Sequence, residues 1–410
     1  MKKKHLKIES EFSTINLSKN KEYHSNFIRN QISSRLIEED LAGNLISNVL
    51  SIGEKIDENL WEFSIGPRWH FNTLKSDASK SLLEFIYHKI NTPDGAWLSK
   101  LIKKIYQSDK KIYIETRFPI LNINFFLTDL SISADQSLSD FFGEYTIWHK
   151  KNLILKPRDP NKYSFELINT PNRSVGKILY EENKIDICWG LGVPSSFFAE
   201  NSVGFSQESS PPLHYYLNAG DFLSNESWDY ITNILEYYET KIVGVEACKS
   251  RLIDGVKLKG VHLIETKSSK IPLYYSSFDP NKDVAFELEK ITNYALKPME
   301  VPYNYIVDRH EILNNGVTLS IRRPKHYGLL GKFPEIFTLL NQSDENNQLK
   351  DRIKLLFLSK DSSLKDFLIL EKKINSACRQ VVIGRIKPRF RSQLYIPFTS
   401  CGIVSLKDIT

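Results

Sequence analysis

Arg322, Arg323, Lys325 and His326 follow directly on the apolar run Val317–Ile321, and together they form the strongest chemical signal in the sequence. A guanidinium offers a planar fork of N–H donors that matches a carboxylate or a phosphate. The end of a strand in an open α/β sheet is where such ligands dock. Alternation along a strand sends Arg322 and Arg323 to opposite faces, so at most one of them points into a cleft. A second candidate is Trp189-Gly190-Leu-Gly192, which closes the run Lys184–Trp189. An aromatic ring beside glycines can line a cleft wall while the backbone comes close to a ligand. Tyr215 and Tyr216 are neighbours in a strand-like run, so one of them can face a cleft and the other a core. The expected ligand-binding set is therefore Trp189, Gly190, Tyr215, Arg322, Arg323, Lys325 and His326.

Catalytic patterns are missing from the sequence. The nine histidines, among them His70, His214, His262 and His310, have no metal-ligand spacing, and His310-Glu311 lacks the second histidine of a zinc-protease helix. Gly190-x-Gly192 lacks the third glycine of a dinucleotide loop, and neither a phosphate-binding loop nor a nucleophile elbow occurs. The carboxylate pairs Glu181-Glu182 and Glu38-Glu39 sit in polar runs and read as surface. The expectation is a non-enzyme with no catalytic residue, no metal and no cofactor. Lys387-Pro-Arg-Phe-Arg391 sets basic residues around one aromatic, a combination that can touch nucleic-acid phosphates, but the patch is small and reads first as a solvated face.

The elements that must position these residues belong to a chain of 410 residues, long enough for two or three domains. Hydrophobic residues make up 41% and charged residues 25%, a globular balance. The net charge of +6 is spread along the chain and argues only weakly for an anionic partner. Cys188, Cys248, Cys378 and Cys401 lie far apart, which speaks against a disulfide framework or a zinc site.

The spacing predicts a helix over Leu82–Ile90, a second helix through Trp97, Leu98, Leu101, Ile102 and Ile105, and a strand in which Ile112, Ile114, Thr116 and Phe118 alternate with polar residues. Strands are expected at Asn152–Lys156, Tyr163–Asn169 and Lys184–Trp189, and a surface loop at Glu200–Pro212. Further elements are a strand at Tyr215–Leu217, helices at Ser227–Tyr238, Lys282–Leu296 and Leu364–Ala377, strands at Val301–Val307 and Val317–Ile321, and a strand-like tail at Gln393–Leu406. This β/α alternation implies a second unit with its own mixed sheet.

Taken in order, several segments resemble the bacterial extracellular solute-binding proteins of family 5, which bind oligopeptides, dipeptides or nickel. They are Arg35-Leu-Ile-Glu-Glu-Asp-Leu-Ala-Gly-Asn44, the strand Leu60-Trp-Glu-Phe-Ser-Ile-Gly66, Arg68-Trp-His-Phe71 as a basic-aromatic strand, the hairpin from Gly143-Glu-Tyr145 through Asn152–Leu155, Lys184-Ile-Asp-Ile-Cys188, Tyr215-Tyr-Leu-Asn218 and Tyr395-Ile-Pro-Phe398. The resemblance implies an α/β fold, a two-lobed clam-shell of the periplasmic-binding-protein type II class, with mixed sheets and two hinge crossings. It implies lobe I over 1–218 with a subdomain near 30–150, lobe II over 219–380, and a return to lobe I over 381–410. The family carries an acidic residue for a peptide ammonium where this chain has the basic stretch Leu319–Gly328, a departure that points away from peptides.

The implied function is to enclose a small polar or anionic solute, peptide-like or bearing phosphate or carboxylate, for ABC-type transport. The implied partners are that ligand and an ABC transporter permease, with the membrane touched only indirectly, no nucleic acid, and a monomeric state. The chain is also similar to the ligand-sensing domain of transcription regulators that respond to sugar-phosphate stress, so a cytoplasmic sensor is the alternative. The opening Met1-Lys-Lys-Lys-His-Leu-Lys7 is basic like a signal peptide, but Glu9, Glu11 and Ser13 stand where an apolar stretch should follow. A cytoplasmic location is expected if Met1 is the native start, and a periplasmic or cell-surface one if an export segment has been removed.

Overall fold

The computed structural model describes residues 5–10, 23–72, 78–92, 95–129, 143–149, 153–170, 173–189, 205–208, 213–236, 245–246, 248, 270–276, 280–307, 309–322, 336, 348–349, 351–353, 364–386, 389–398 and 404–409. In the Lys111–Thr116 strand Ile112, Ile114 and Thr116 are buried, while Lys111, Tyr113 and Glu115 are half exposed, the alternation of a sheet with one wet face. It pairs antiparallel with Leu60–Phe63 and Ile102–Ser108, and Glu54–Asp57 completes a four-stranded sheet. The tight hairpin turns on Asp109 and Lys110, both at positive φ (50° and 65°), the twist that a two-residue connection requires.

Two expectations fail in this region. The run Trp97–Ile105 is a short helix, Ala96–Ser99, followed by the strand Ile102–Ser108 rather than one long helix. A bulge between Ile102 and Lys104 leaves Ile102 and Ile105 both buried, so a strand acquires a three-residue interval that imitates a helix. Arg68-Trp-His-Phe71 lies in the helix Pro67–Asn72 rather than in a strand, and Pro67, with φ preset and no N–H to lose, suits its first position. Trp69 is core, its ring 5.7 Å from that of Phe85 on the helix Ala78–Ile90.

A seven-stranded sheet runs in the order Phe205–Glu208, Arg389–Ser392, Ile187–Trp189, His5–Ser10, Ser164–Asn169, Ile154–Pro157 and Tyr145–His149. His5–Ser10 is parallel to both Ser164–Asn169 and Ile187–Trp189. The expected loop at Glu200–Pro212 thus contains an edge strand, while its residues 200–204 and 209–212 lie outside the described set. A six-stranded sheet has the order Val245–Glu246, Gln380–Ile386, Leu213–Ala219, Val317–Arg322, Ile271–Tyr275 and Leu296–Glu300. The strand predicted at Val301–Val307 comes earlier, at Leu296–Glu300, and a helix occupies Tyr303–Val307 after Pro302. Trp228, Ile231 and Leu235 of the helix Asn225–Glu236 share a core with Val284 and Leu288 of the helix Asn281–Ile291 and with Leu217, Leu273 and Leu319 of the sheet.

The two large sheets keep separate apolar cores. The four-stranded sheet has a third, and Ile336, Ile353 and the stripe Phe367, Leu370, Ile374 of the helix Leu364–Ala377 belong to it. Residues 219–380 therefore feed two cores instead of one. The chain passes from the seven-stranded to the six-stranded sheet between 208 and 213 and returns between 386 and 389. Asn218 sits inside the second sheet, where its amide donates to Ser320 Oγ at 2.8 Å and accepts from Gln380.

Candidate functional site

The direction of the strands locates the candidate site. In the seven-stranded sheet Phe205–Glu208 and Ile187–Trp189 each run antiparallel to Arg389–Ser392, so they are parallel to each other and to His5–Ser10 and Ser164–Asn169. Glu208 is the carboxyl end from which the chain leaves. The carboxyl ends Ser10, Asn169 and Trp189 therefore point the same way, towards the crossings. In the six-stranded sheet Leu213–Ala219 enters at its amino end and pairs antiparallel with Val317–Arg322 and Gln380–Ile386, and Ile271–Tyr275 and Leu296–Glu300 are parallel to Val317–Arg322. Their carboxyl ends Tyr275, Glu300, Arg322 and Ile386 also point towards the crossings. Both sheets thus turn toward the junction the strand ends at which α/β folds bind ligands.

Of the expected residues, Trp189 closes its strand opposite Phe390, and Arg322 ends its strand opposite His214, both at this rim. Their side chains, together with Gly190, Arg323, Lys325 and His326, lie outside the described residues. Tyr215 is a correction. Neither Tyr215 nor Tyr216 reaches a cleft, because both faces of the strand are covered: Tyr215 (0% exposed) is in the core with Trp228, and Tyr216 (2%) packs with Cys248 and Val382. The Tyr215 hydroxyl instead donates to Asn281 Oδ1 at 3.1 Å, and Asn281 Nδ2 donates to the carbonyl and hydroxyl oxygens of Ser276 at 3.2 and 3.0 Å. These bonds tie the start of the helix Asn281–Ile291 to the end of the strand Ile271–Tyr275, on the rim.

Lys387–Arg391 is a second correction. Lys387 and Pro388 are outside the described residues, but Phe390 and Arg391 are buried because their strand is enclosed between Ile187–Trp189 and Phe205–Glu208. A solvated or phosphate-tracking patch needs those side chains outside. Arg391 faces Cys188 and lies near Tyr180, whose hydroxyl is pushed up by burial and is thereby kept protonated.

Sequence reasoning missed a row that only the register reveals. Glu246 lies opposite Arg385, Arg385 opposite His214, and His214 opposite Arg322, across four adjacent strands one residue from the crossing. Directly opposed residues share a sheet face. Arg385 Nε donates to Glu246 Oε2 at 2.6 Å, and the His214 ring meets Tyr216 edge-on at 6.2 Å.

Two described carboxylates with clearly shifted titration lie away from this rim. Glu62 is held below the usual range by its bond from Lys111 and then by that from Tyr113. Asp40 is lowered by Asn44, whose side chain and backbone both donate to it. Each is an anion stabilised by local donors, and neither has a poised acid or base partner. Among the described residues no group of three or more His, Cys, Asp or Glu could hold a metal, and no helix is long and apolar enough to cross a membrane.

No protein-family model and no curated protein matches the sequence. Solved structures do match, from end to end. The murein tripeptide binding protein MppA of Escherichia coli aligns with a TM-score of 0.78 at 11% identity, over 100% of this chain and 98% of that one. NikA of Staphylococcus aureus in complex with Ni(L-His)2 aligns at 0.74 and 13%, over 100% of both chains. AgaA of A. tumefaciens R10 in complex with agropinic acid aligns at 0.71 and 11%, over 98% of both. These neighbours are binding proteins rather than enzymes. The chain has their two-lobed, periplasmic-binding-protein-like α/β fold.

Proposed function

We propose that the protein is a solute-binding protein that encloses a small polar or anionic solute between two lobes and hands it to an ABC-type transporter permease, acting as a monomer and without catalysis. The observation that carries this reading is the convergence of parallel-strand carboxyl ends from both large sheets on the same pair of crossings. A guest held there meets both lobes, and closing about two connecting strands removes guest and rim from water together. Lobe I comprises the seven-stranded sheet and the four-stranded subdomain, and lobe II the six-stranded sheet. Trp189-Gly190 contributes to the first wall, and Arg322, Arg323, Lys325 and His326 to the second.

The full-length likeness to binding proteins for a peptide, a nickel complex and agropinic acid supports the class of function. The basic stretch after Val317–Arg322 favours an anionic guest over a peptide ammonium. The test is a thermal-shift screen of peptides, sugar phosphates, opine-like acids and metal complexes, with small-angle scattering on each hit. A ligand at a hundred times its Kd raises folded-state stability by about 2.7 kcal/mol. The reading requires a hit that also lowers the radius of gyration; hits that leave the scattering unchanged would overturn lobe closure.

A further inference from the structure

We infer that the four-stranded subdomain carries a docking surface for a basic protein segment with aliphatic side chains, built on the hairpin of Ile37–Glu39 and Leu45–Ser47 and on the edge strand Glu54–Asp57. It lies on the subdomain and not on the strand ends at the crossings, so it goes beyond the solute-binding reading. Three observations carry it. The first is where exposed aliphatic side chains fall. Leu41, Ile46, Ile52 and Ile56 are each between 43% and 53% exposed, all within one short stretch of chain. Ser47 Oγ accepts from the Ile52 N–H at 3.0 Å, which sets Ile52 beside the hairpin. Leu121, also exposed, comes just before Asn124, whose side-chain amide bonds both the N–H and the carbonyl of Gly53 at 2.7 and 3.0 Å. Exposed hydrophobics scattered singly are ordinary, whereas a group of them marks an interaction site.

The second observation is charge. Residues 37–63 hold seven carboxylates and one lysine, a local charge of −6 in a chain whose total is +6. Lys407 engages Glu38 at 2.6 Å, Lys111 engages Glu62, and Glu39 is buried. Glu54, Asp57 and Glu58 are exposed and Asp40 is half-buried, and these four rim the aliphatic side chains. The one lysine, Lys55, has its ammonium over the Trp61 ring at 5.9 Å. The third observation is rigidity. Asp40 accepts from the backbone N–H groups of Ala42 and Asn44 at the hairpin tip, and Gly43 takes the positive φ of 86° that the turn requires. A surface fixed in advance loses little freedom on binding. An acidic rim attracts lysine and arginine and repels phosphate-bearing partners, while the aliphatic centre calls for apolar side chains opposite it. The occupant is therefore a segment in which Lys or Arg stands beside Leu, Ile or Val. A bulge between Lys55 and Asp57 disrupts the edge strand as a template, so the contacts run through side chains and not through an added strand.

The experiment uses the full chain and three labelled peptides: an amphipathic one of lysine and leucine, a counterpart with glutamate for lysine, and a counterpart with serine for leucine. By fluorescence anisotropy the lysine–leucine peptide binds at least tenfold more tightly than either counterpart, and hydrogen exchange slows within residues 37–63. Ile52→Ser combined with Ile56→Ser weakens it at least tenfold, and so does Asp57→Asn combined with Glu58→Gln. Ile178→Ser, which removes a similarly exposed isoleucine from the helix Arg173–Glu181, leaves it unchanged. Added salt weakens the wild type more than the variant lacking the two carboxylates. The melting curve of each variant verifies folding, and if the isoleucine variant fails to fold, the carboxylate variant and the exchange map decide. No binding, equal binding of the glutamate–leucine peptide, protection outside residues 37–63, or undiminished affinity in both variants overturns the docking surface. A dimer in sedimentation that the isoleucine variant disperses overturns it in favour of a second copy, and binding to phosphatidylglycerol vesicles that the same variant abolishes overturns it in favour of lipid. The solute-binding reading stands or falls separately, by the ligand screen.

Discussion

The Tyr215 hydroxyl lies 3.1 Å from Asn281 Oδ1, and this bond joins the strand through which the chain enters the six-stranded sheet to the first residue of a helix on its rim. Both residues are buried, so the bond has no water to compete with it. Through Asn281 and Ser276 it ties the end of the strand Ile271–Tyr275 to the start of the helix Asn281–Ile291.

Removing that hydroxyl leaves a buried acceptor without its donor. Tyr215→Phe is expected to cost about 1–2 kcal/mol in urea unfolding, and to weaken whichever ligand the screen identifies. Unchanged stability together with unchanged affinity would mean that the rim does not depend on this bond.

The Glu62 carboxylate predicts an acid-range signature. Its pKa is lowered in the folded state, first by the Lys111 bond, so its stabilising contribution is present above its ordinary value of 4.5 and is lost as pH falls through the lower, folded value. Glu62→Gln should therefore lower stability at neutral pH and flatten the stability–pH curve below about pH 4.5. A curve parallel to that of the wild type across that range would rule the contribution out.

Ile114 is fully buried in the four-stranded sheet, and its register partners are Trp61 and Ile105. Truncation to alanine should cost about 2–5 kcal/mol. Because the cluster includes Phe367 and Leu370, hydrogen exchange in the helix Leu364–Ala377 should rise with it. Exchange confined to residues 54–116 would show that the subdomain opens alone.

Gly316 precedes Val317–Arg322 and passes so close to Ile271–Tyr275 that an added Cβ would lie 2.4 Å from the Pro272 carbonyl oxygen. Its φ of −145° is open to any residue, so the constraint is space and not dihedral preference. Gly316→Ala should destabilise by about 1–3 kcal/mol through forced separation of those strands, read as a lower denaturation midpoint. A variant as stable as the wild type would show that the strands can part without penalty.

The sequence revealed elements more readily than the partnerships between them. The helix Leu364–Ala377 and the strand Lys111–Thr116 stand where periodicity puts them, because each buries one regular stripe. Ile102 and Ile105 misled because a bulge shifts the strand's inward positions to a helix-like interval. The turn-forming residues after Trp189 and the basic residues after Ile321 mark the ends of two strands, the second of which runs one residue further, to Arg322. The row of His214, Arg385 and Glu246 was not legible, since 139 residues separate Glu246 from Arg385 and only hydrogen-bond register brings them side by side. Alternation makes Tyr215 and Tyr216 an in-and-out pair, but helices on one face and Cys248 on the other cover both sides.

Arg389–Ser392 separates Ile187–Trp189 from Phe205–Glu208, and this bears on biogenesis. During synthesis those two flanking segments emerge well before the piece that belongs between them. Until it arrives each presents an open edge, and open edges invite pairing with other chains. A sheet whose other strands lie within residues 5–208 is thus completed only by residues 389–392, and a ribosome-bound chain arrested short of residue 389 should depend on a chaperone.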